Sequence, residues 1–451
     1  MMRPRRRGRV KAPRLARLIF FQRNTSEKQD NSPLLLATGD RFVSTLNSPL
    51  LNIVCLASYF KGVEFLRECK REGHRVVLVT REKTIQEEWP RASIDETLVA
   101  PNDITPELLT QLVTQLARRQ RIDRIVALEE YDVMTAASIR EQLRLPGMGT
   151  SAARLFRDKL AMRVRAKEAG IRVPDFVHAL NFEALRNYMN RVPPPWVLKP
   201  RSDVSAVGIK KLDESEAVWR AIDALDARES PLDQSPNYLL ERFVAGDVYH
   251  VDSLVNSGRV IFAGVNRYGR PPMEVAHGGG VFISHTIEHG CAEHKQLLEL
   301  NRQLIKCLGL ERGASHAEFI KSKRDGNFYF LEIAARVGGA FIAETLEATS
   351  GINLWREWAR IEMGGGESRR GVKPAMPKMY GGIVLSLARQ EYPDTAEYAD
   401  PEIALRIKKR HHAGLIVSSP SLSRVKELLD NYSRRFAADF CAVEPPLERP
   451  N

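Results

Sequence analysis

The strongest constraint on the fold is a pair of apolar, aromatic-rich runs on either side of the turn signal Lys323-Arg-Asp-Gly-Asn. One contains His316-Ala-Glu-Phe-Ile, and the other reads Tyr329-Phe-Leu-Glu-Ile-Ala-Ala-Arg-Val-Gly-Gly. Strand-length runs separated by Asp-Gly close an antiparallel hairpin. The hairpin can bring Glu318, and Glu332 fourteen residues later, to one face, with Arg336 just beyond. Such a trio suits a divalent cation and a polyphosphate. Mg²⁺ takes hard oxygen ligands, one or two carboxylates plus phosphate oxygens, and a guanidinium clamps a phosphoryl group through paired hydrogen bonds. Two strand carboxylates can equally face solvent, so the rest of the chain decides.

From Leu51 the pattern is strand, helix, strand. Strands are expected at Leu51–Ala57, His74–Thr80, Glu96–Ala100 and Arg124–Leu128, and helices at Gly62–Glu72 and Thr105–Arg119. Strands alternating with helices of this length make parallel βαβ units, so residues 49–150 form a doubly wound parallel α/β domain. Beyond it, Ser151–Gly170 reads as one charged helix closed by Gly170. Strands follow at Trp196–Lys199, Tyr238–Phe243, Val248–Val255 and Arg259–Val265, then helix Glu293–Leu308 and the carboxylate hairpin. Residues 366–451 carry strand-like pieces at Gly381–Leu387 and Gly414–Ser418 and a helix at Ser421–Arg435, a small C-terminal α+β unit.

The net charge of +12 invites a nucleic-acid reading, but nine Lys or Arg and no acidic residue fall within residues 1–23, leaving only +3 for the remainder. Residues 1–48 are thus a basic tail and linker, expected to be disordered, on a nearly neutral body. The tail is open to three readings: dispensable upstream sequence, a targeting segment, or a polyanion-binding arm. Nucleic-acid contact is confined to it. No uncharged apolar run reaches the roughly 18 residues a membrane span needs. Five scattered cysteines without a Cys-x-x-Cys pair fit free thiols in a reducing compartment. The expected location is the cytoplasm.

Lys159 lies in Arg-Asp-Lys-Leu, ahead of the second domain, and Lys199 ends the strand Trp-Val-Leu-Lys-Pro. A buried strand-end ammonium is costly unless it meets an anion. Between Lys199 and Lys210 lies a small-residue loop containing Ser205 and Gly208, of the kind whose backbone amides cradle phosphate. Leu239-Leu-Glu-Arg-Phe-Val places Glu241 at a strand end, where it can accept from an adenine amine.

In this order, Lys159, Lys199 with its loop, Glu241, Glu318, Glu332 and Arg336 resemble the ATP-grasp superfamily, specifically its carboxylate–amine ligases, which include L-amino-acid ligases and carnosine synthase. The resemblance covers about residues 51–365, and its most specific piece is Ala-Glu318-Phe…Leu-Glu332-Ile-Ala-Ala-Arg336. It implies a two-lobed ATP-grasp fold over residues 151–365, with a small lobe at about 170–244 and a large lobe at about 245–365. It further implies ATP and Mg²⁺ or Mn²⁺ as cofactors. Lys159, Lys199, Ser205, Gly208, Glu241, Val244 and Asp247 would contact the nucleotide, Glu318 and Glu332 the metal, and Arg336 the transferred phosphoryl group. Departures stand at Asp203, Ser205 and Ala206, where Gly, Gly and Ser are common. Val248 replaces a ribose-binding acid, with Asp247 or His250 as substitutes, and Ala334 replaces an Asn.

His277, in Met273-Glu-Val-Ala-His-Gly-Gly-Gly, sits in an expected loop and is the candidate base for the attacking amine; a plain surface turn is the alternative. His250 and His285 are expected to be structural. The expected reaction joins a small-molecule carboxylate to an amine through an acyl-phosphate. A biotin-carboxylase-like carboxylation and a nucleotide-binding protein without turnover remain as rivals, and a homodimer is the default assembly.

Overall fold

The computed structural model describes residues 49–203, 208–278, 280–364 and 379–442. The tail and linker, Ser205 and the ends of the C-terminal unit lie outside the described residues, as does the side chain of His277.

The first sheet contains β1 (Asn52–Ala57), β2 (Arg75–Arg81), β3 (Glu96–Ala100) and β4 (Arg124–Ala127), in the order β3-β2-β1-β4, with every pairing parallel. The apolar run Ile53–Ala57 of the central strand is buried on both faces, as a strand covered by helices on each side must be. Helices Val63–Arg71, Pro106–Ala117 and Val133–Leu143 supply that cover. The core crosses the domain boundary. Ile53, Phe65 and Leu66 pack in one cluster with Leu254, Leu354 and Trp358, and the Phe65 and Trp358 rings meet edge to face at 5.2 Å. Arg356 to Glu64 at 3.1 Å and Arg360 to Glu68 at 2.7 Å frame that contact.

The second sheet, β5 (Phe176–His178), β6 (Trp196–Pro200), β7 (Lys210–Leu212) and β8 (Tyr238–Arg242), is antiparallel in the order β5-β8-β6-β7. Helices Phe182–Arg191 and Ser215–Asp226 bury Leu185, Tyr188, Val218 and Ile222 against it. The third sheet begins with β9 (Gly246–Asn256), β10 (Arg259–Tyr268), β11 (Phe282–Thr286), β12 (Arg312–Ser322) and β13 (Phe328–Ala334). It continues through β14 (Tyr380–Leu387), β15 (Ile403–Arg406) and β16 (His412–Ser419). Its order is β13-β12-β9-β10-β11-β14-β16-β15, antiparallel throughout. The strands of the expected C-terminal α+β unit therefore extend the sheet of the large lobe, with helix Leu422–Asp439 packed on them.

Two local expectations differ from the structure. The single helix expected at Ser151–Gly170 is two, Thr150–Arg154 and Lys159–Glu168. Asp158 separates them by capping the second, accepting from the amides of Leu160 and Ala161. Local side-chain capping of this kind competes with continuous helix. The loop expected around His277 instead contains a helix, Pro272–Gly278, whose leading Pro suits a helix start.

Candidate active site

The hairpin of β12 and β13 sets Glu318 directly opposite Glu332, with a register irregularity immediately after Glu318. Directly opposed residues share a face of the sheet, so both carboxylates point to the side that also carries His250, the β9 partner of Glu318. On that face Val244, Val248, Tyr268 and Ile320 form a small apolar cluster.

The two carboxylates are held differently. Half-buried Glu332 lies 3.1 Å from the Lys159 ammonium. Burial pushes its carboxyl up, but Lys159 and Lys199 outweigh that and bring it down to about 2. Glu318 accepts from the Tyr268 hydroxyl at 2.8 Å, and His316 Nε2 stands 3.4 Å away. Behind it, Asp252 receives His316 Nδ1 at 2.8 Å on one oxygen and His250 Nδ1 at 2.6 Å on the other. His250 Nε2 in turn meets the Ser284 hydroxyl at 2.7 Å. Burial alone would lower His316, yet the Asp252 carboxylate carries it up to about 10. Donor atoms of His250, Asp252 and His316 lie within 4.8 Å of one another, but each Nδ1 is already committed to Asp252. The trio is a hydrogen-bonded support that fixes the direction of Glu318, the role outer-shell groups play for a metal carboxylate.

Lys199 on β6 and Glu241 on β8 are diagonal neighbours whose charged groups lie 2.5 Å apart, and Arg163 Nε donates to the other Glu241 oxygen at 3.1 Å. Burial brings the Lys199 ammonium down to about 8, against the pull of Glu241. Burial raises the Glu241 carboxyl, but Arg163 and Lys199 overcome it and the net direction is downward. The Arg163 Nη atoms are buried with no hydrogen-bond partner among the described residues, and the guanidinium carbon lies 5.6 Å from the centre of the Phe330 ring. Lys159 also donates to the carbonyl of Asp203, and Arg157 to that of Ser202, so both tether the start of the loop expected to cradle phosphate. Gly208 adopts φ 70° at its far end. Val244 is buried, and Asp247 pairs with Arg267 at 3.1 Å.

Arg336 donates through Nε and Nη2 to one oxygen of Glu130, at 2.8 and 2.6 Å, and through Nη1 to the Val337 carbonyl. Arg157 takes the other Glu130 oxygen at 2.6 Å. A guanidinium has five N–H groups, so Arg336 keeps donors for a further partner. Glu130 belongs to the first domain, following β4.

Sequence reasoning passed over Glu130, Arg157, Arg163, Asp252, His316 and Tyr268. Two of these carried a readable signal. His250-x-Asp252 and His316-x-Glu318 are period-two pairs, which on adjacent strands put four polar groups on one face.

The donor set fits a divalent cation: two carboxylates on one face, one of them braced from behind, beside cations able to meet phosphate. The family model described as the ATP-grasp N-terminal domain matches residues 66–147, and the ATP-grasp domain model matches residues 192–344. The chain belongs to the ATP-grasp superfamily. Among curated proteins it is 24% identical over 267 residues to the L-arginine-specific L-amino acid ligase of Bacillus subtilis, a match covering 58% of this chain and 63% of that one. The chain spans only part of the curated relatives it matches, 56% of an alanine–anticapsin ligase of Bacillus subtilis for example. Among solved structures, an L-amino acid ligase from Bacillus licheniformis superposes with TM-score 0.66 at 17% identity, covering 87% of this chain and 98% of that one. The likeness to this structure establishes the fold. No helix among the described residues is long and apolar enough to cross a membrane. Cys55 and Cys69 are buried, and all five cysteines are free.

Proposed function

We propose that the protein is an ATP-dependent carboxylate–amine ligase acting through an acyl-phosphate. The observation that carries the reading is the direct register pairing of Glu318 with Glu332, flanked by Lys159, Lys199 and Arg336. A substrate carboxylate oxygen attacks the γ-phosphorus, and the bond from that phosphorus to the β,γ-bridging oxygen breaks, releasing ADP. An amine nitrogen then attacks the acyl carbon. The carbon–oxygen bond to phosphate breaks, phosphate leaves, and the amine proton passes to a base, for which His277 is the candidate.

Glu318 and Glu332 would hold Mg²⁺ or Mn²⁺, which when bound neutralises phosphate charge and aligns the oxygens for in-line transfer. Lys159 and Lys199 place cations at the polyphosphate. Ser205, Gly208 and Val244 complete the nucleotide contacts in this reading, whereas Asp247 pairs with Arg267 on the other side of the sheet and does not; Glu241 is positioned for the adenine amine once Lys199 turns to phosphate. The free N–H groups of Arg336 meet charge developing on the transferred phosphoryl group, and no side-chain nucleophile is required. The substrates are a small carboxylic acid and a small amine.

The test is phosphate release from Mg-ATP in the presence of pooled amino acids, small carboxylic acids and amines, with a bicarbonate arm and Glu332→Gln as control. Release that needs both an acid and an amine, and is lost in the control, is expected. Release driven by bicarbonate alone would replace the reading with a carboxylation.

A further inference from the structure

Alternate residues of β10 and β11 face opposite sides of the large sheet. Tyr268 and Ser284 point to the catalytic face, through their bonds to Glu318 and His250, so Arg267 and His285, which pair across the strands, point to the back. There they floor a cavity of about 540 Å³, closed on one side by helix Leu422–Asp439, a volume within the range of small-molecule sites.

Its polar lining is cationic. Arg267 near the end of β10, Arg270 just beyond that strand and Lys426 of the helix converge on it, with Asp430 and Ser433 on the helix side. Val281, Ile283 and Leu429 add an apolar wall. The compensation of these cations is partial. Arg270 reaches Glu274 only at 4.0 Å, and Arg267 pairs through Nη2 with Asp247 while its buried Nε meets no partner among the described residues. His285 gives its Nδ1 proton to the Thr286 carbonyl, and burial together with Lys426 and Arg267 lowers its affinity for a second proton. An anion placed among these three side chains gains charge-assisted hydrogen bonds from their exposed N–H groups.

We propose that this cavity is a second ligand site, separate from the nucleotide cleft, for a small organic anion with an apolar body. The anionic group sits among Arg267, Arg270 and Lys426, and the body lies on Val281, Ile283 and Leu429. The inference does not depend on the ligase reading. A carboxylate or a phosphate could supply the charge, so the probes share one ring and differ in their head groups.

Phenyl phosphate, benzoate and benzyl alcohol would each be titrated calorimetrically into the full chain, into Lys426→Glu, into Arg270→Glu and into Glu332→Gln. Lys426 and Arg270 are exposed, so both charge reversals are expected to fold, and an unchanged thermal midpoint checks this. The expected result is saturable one-to-one binding of at least one anion and none of the alcohol. Both reversals should weaken binding by about tenfold or more, the loss of one charge-assisted hydrogen bond, while Glu332→Gln leaves it unchanged; the tighter anion names the head group. Absence of saturable anion binding at millimolar concentration, binding indifferent to both reversals, or equal binding of the alcohol would each overturn the proposal.

Discussion

Replacing Glu130 by Gln removes the one charge that joins Arg336 of the large lobe to Arg157, from a position in the first domain. Each guanidinium contacts its carboxylate oxygen at 2.6 Å, in a setting where all three side chains are largely buried. At about 4 Å between charge centres and an effective dielectric near 20, each pair contributes about 4 kcal/mol of attraction. Relief from desolving one carboxylate offsets part of this, so the net cost is expected at about 3–5 kcal/mol, the range for breaking a buried pair while leaving its partner charged. The sign of the pH dependence follows from Glu130 itself. Burial raises its carboxyl, but Arg336, Arg157 and Lys159 together bring it below the ordinary value. Its stabilisation is therefore complete above the unfolded carboxylate range of about 4.3 and fades as pH falls through the lower folded value. Denaturant unfolding of both proteins, followed by circular dichroism and by tryptophan fluorescence to check that the transitions coincide, should show the full gap at neutral pH and a closing gap on acidification. A double-mutant cycle with Arg336→Gln should return a coupling of about 1.5–3 kcal/mol. A neutral-pH penalty below about 1 kcal/mol, or one independent of pH, would refute this account of the bridge.

Because burial lowers Lys199 to about 8, its ammonium loses charge as pH rises through that value. Binding of a fluorescent ATP analogue should weaken there by roughly ten- to a hundredfold, the worth of one charge-assisted hydrogen bond, whereas Lys199→Arg should bind evenly across the same range. At Gly246 a Cβ would stand 2.1 Å from the Lys321 carbonyl oxygen, a backbone atom of the paired strand. Gly246→Ala should accordingly cost about 1–3 kcal/mol or more in denaturant unfolding, and an unchanged midpoint would contradict the close approach.

The carboxylate hairpin was legible because its determinants are local: two alternating apolar runs and an Asp-Gly turn. The parallel first sheet was legible for the same reason, through the regular spacing of buried strands and helices. What escaped is non-local. Nothing in Glu129-Glu130-Tyr131 announces that its second carboxylate will reach Arg336, more than two hundred residues away, because that pairing exists only in the packed tertiary fold, which also sets Phe65 against Trp358. The break at Asp158 depended on a side chain choosing to cap one helix over continuing another, a choice that helix-forming neighbours on both sides conceal. The tie of Glu241 to Lys199 and Arg163 was likewise invisible, since it requires two strands and a helix to converge. His316 is a different kind of omission: its period-two relation to Glu318 was in plain sight.

In the fold Lys159 rests on Glu332, and Lys199 on Glu241, so the cleft supplies its own counterions. Arrival of a metal–nucleotide complex is then an exchange of partners. On the proposed reading the two ammonium groups would pass from carboxylate to phosphate, leaving Glu332 for the metal and Glu241 for the adenine amine. Such an exchange would replace each ammonium–carboxylate pair by an ammonium–phosphate pair and leave no bare charge in the cleft. On this reading the nucleotide would enter a nearly charge-balanced site, drawn by what it can swap rather than by a long-range field.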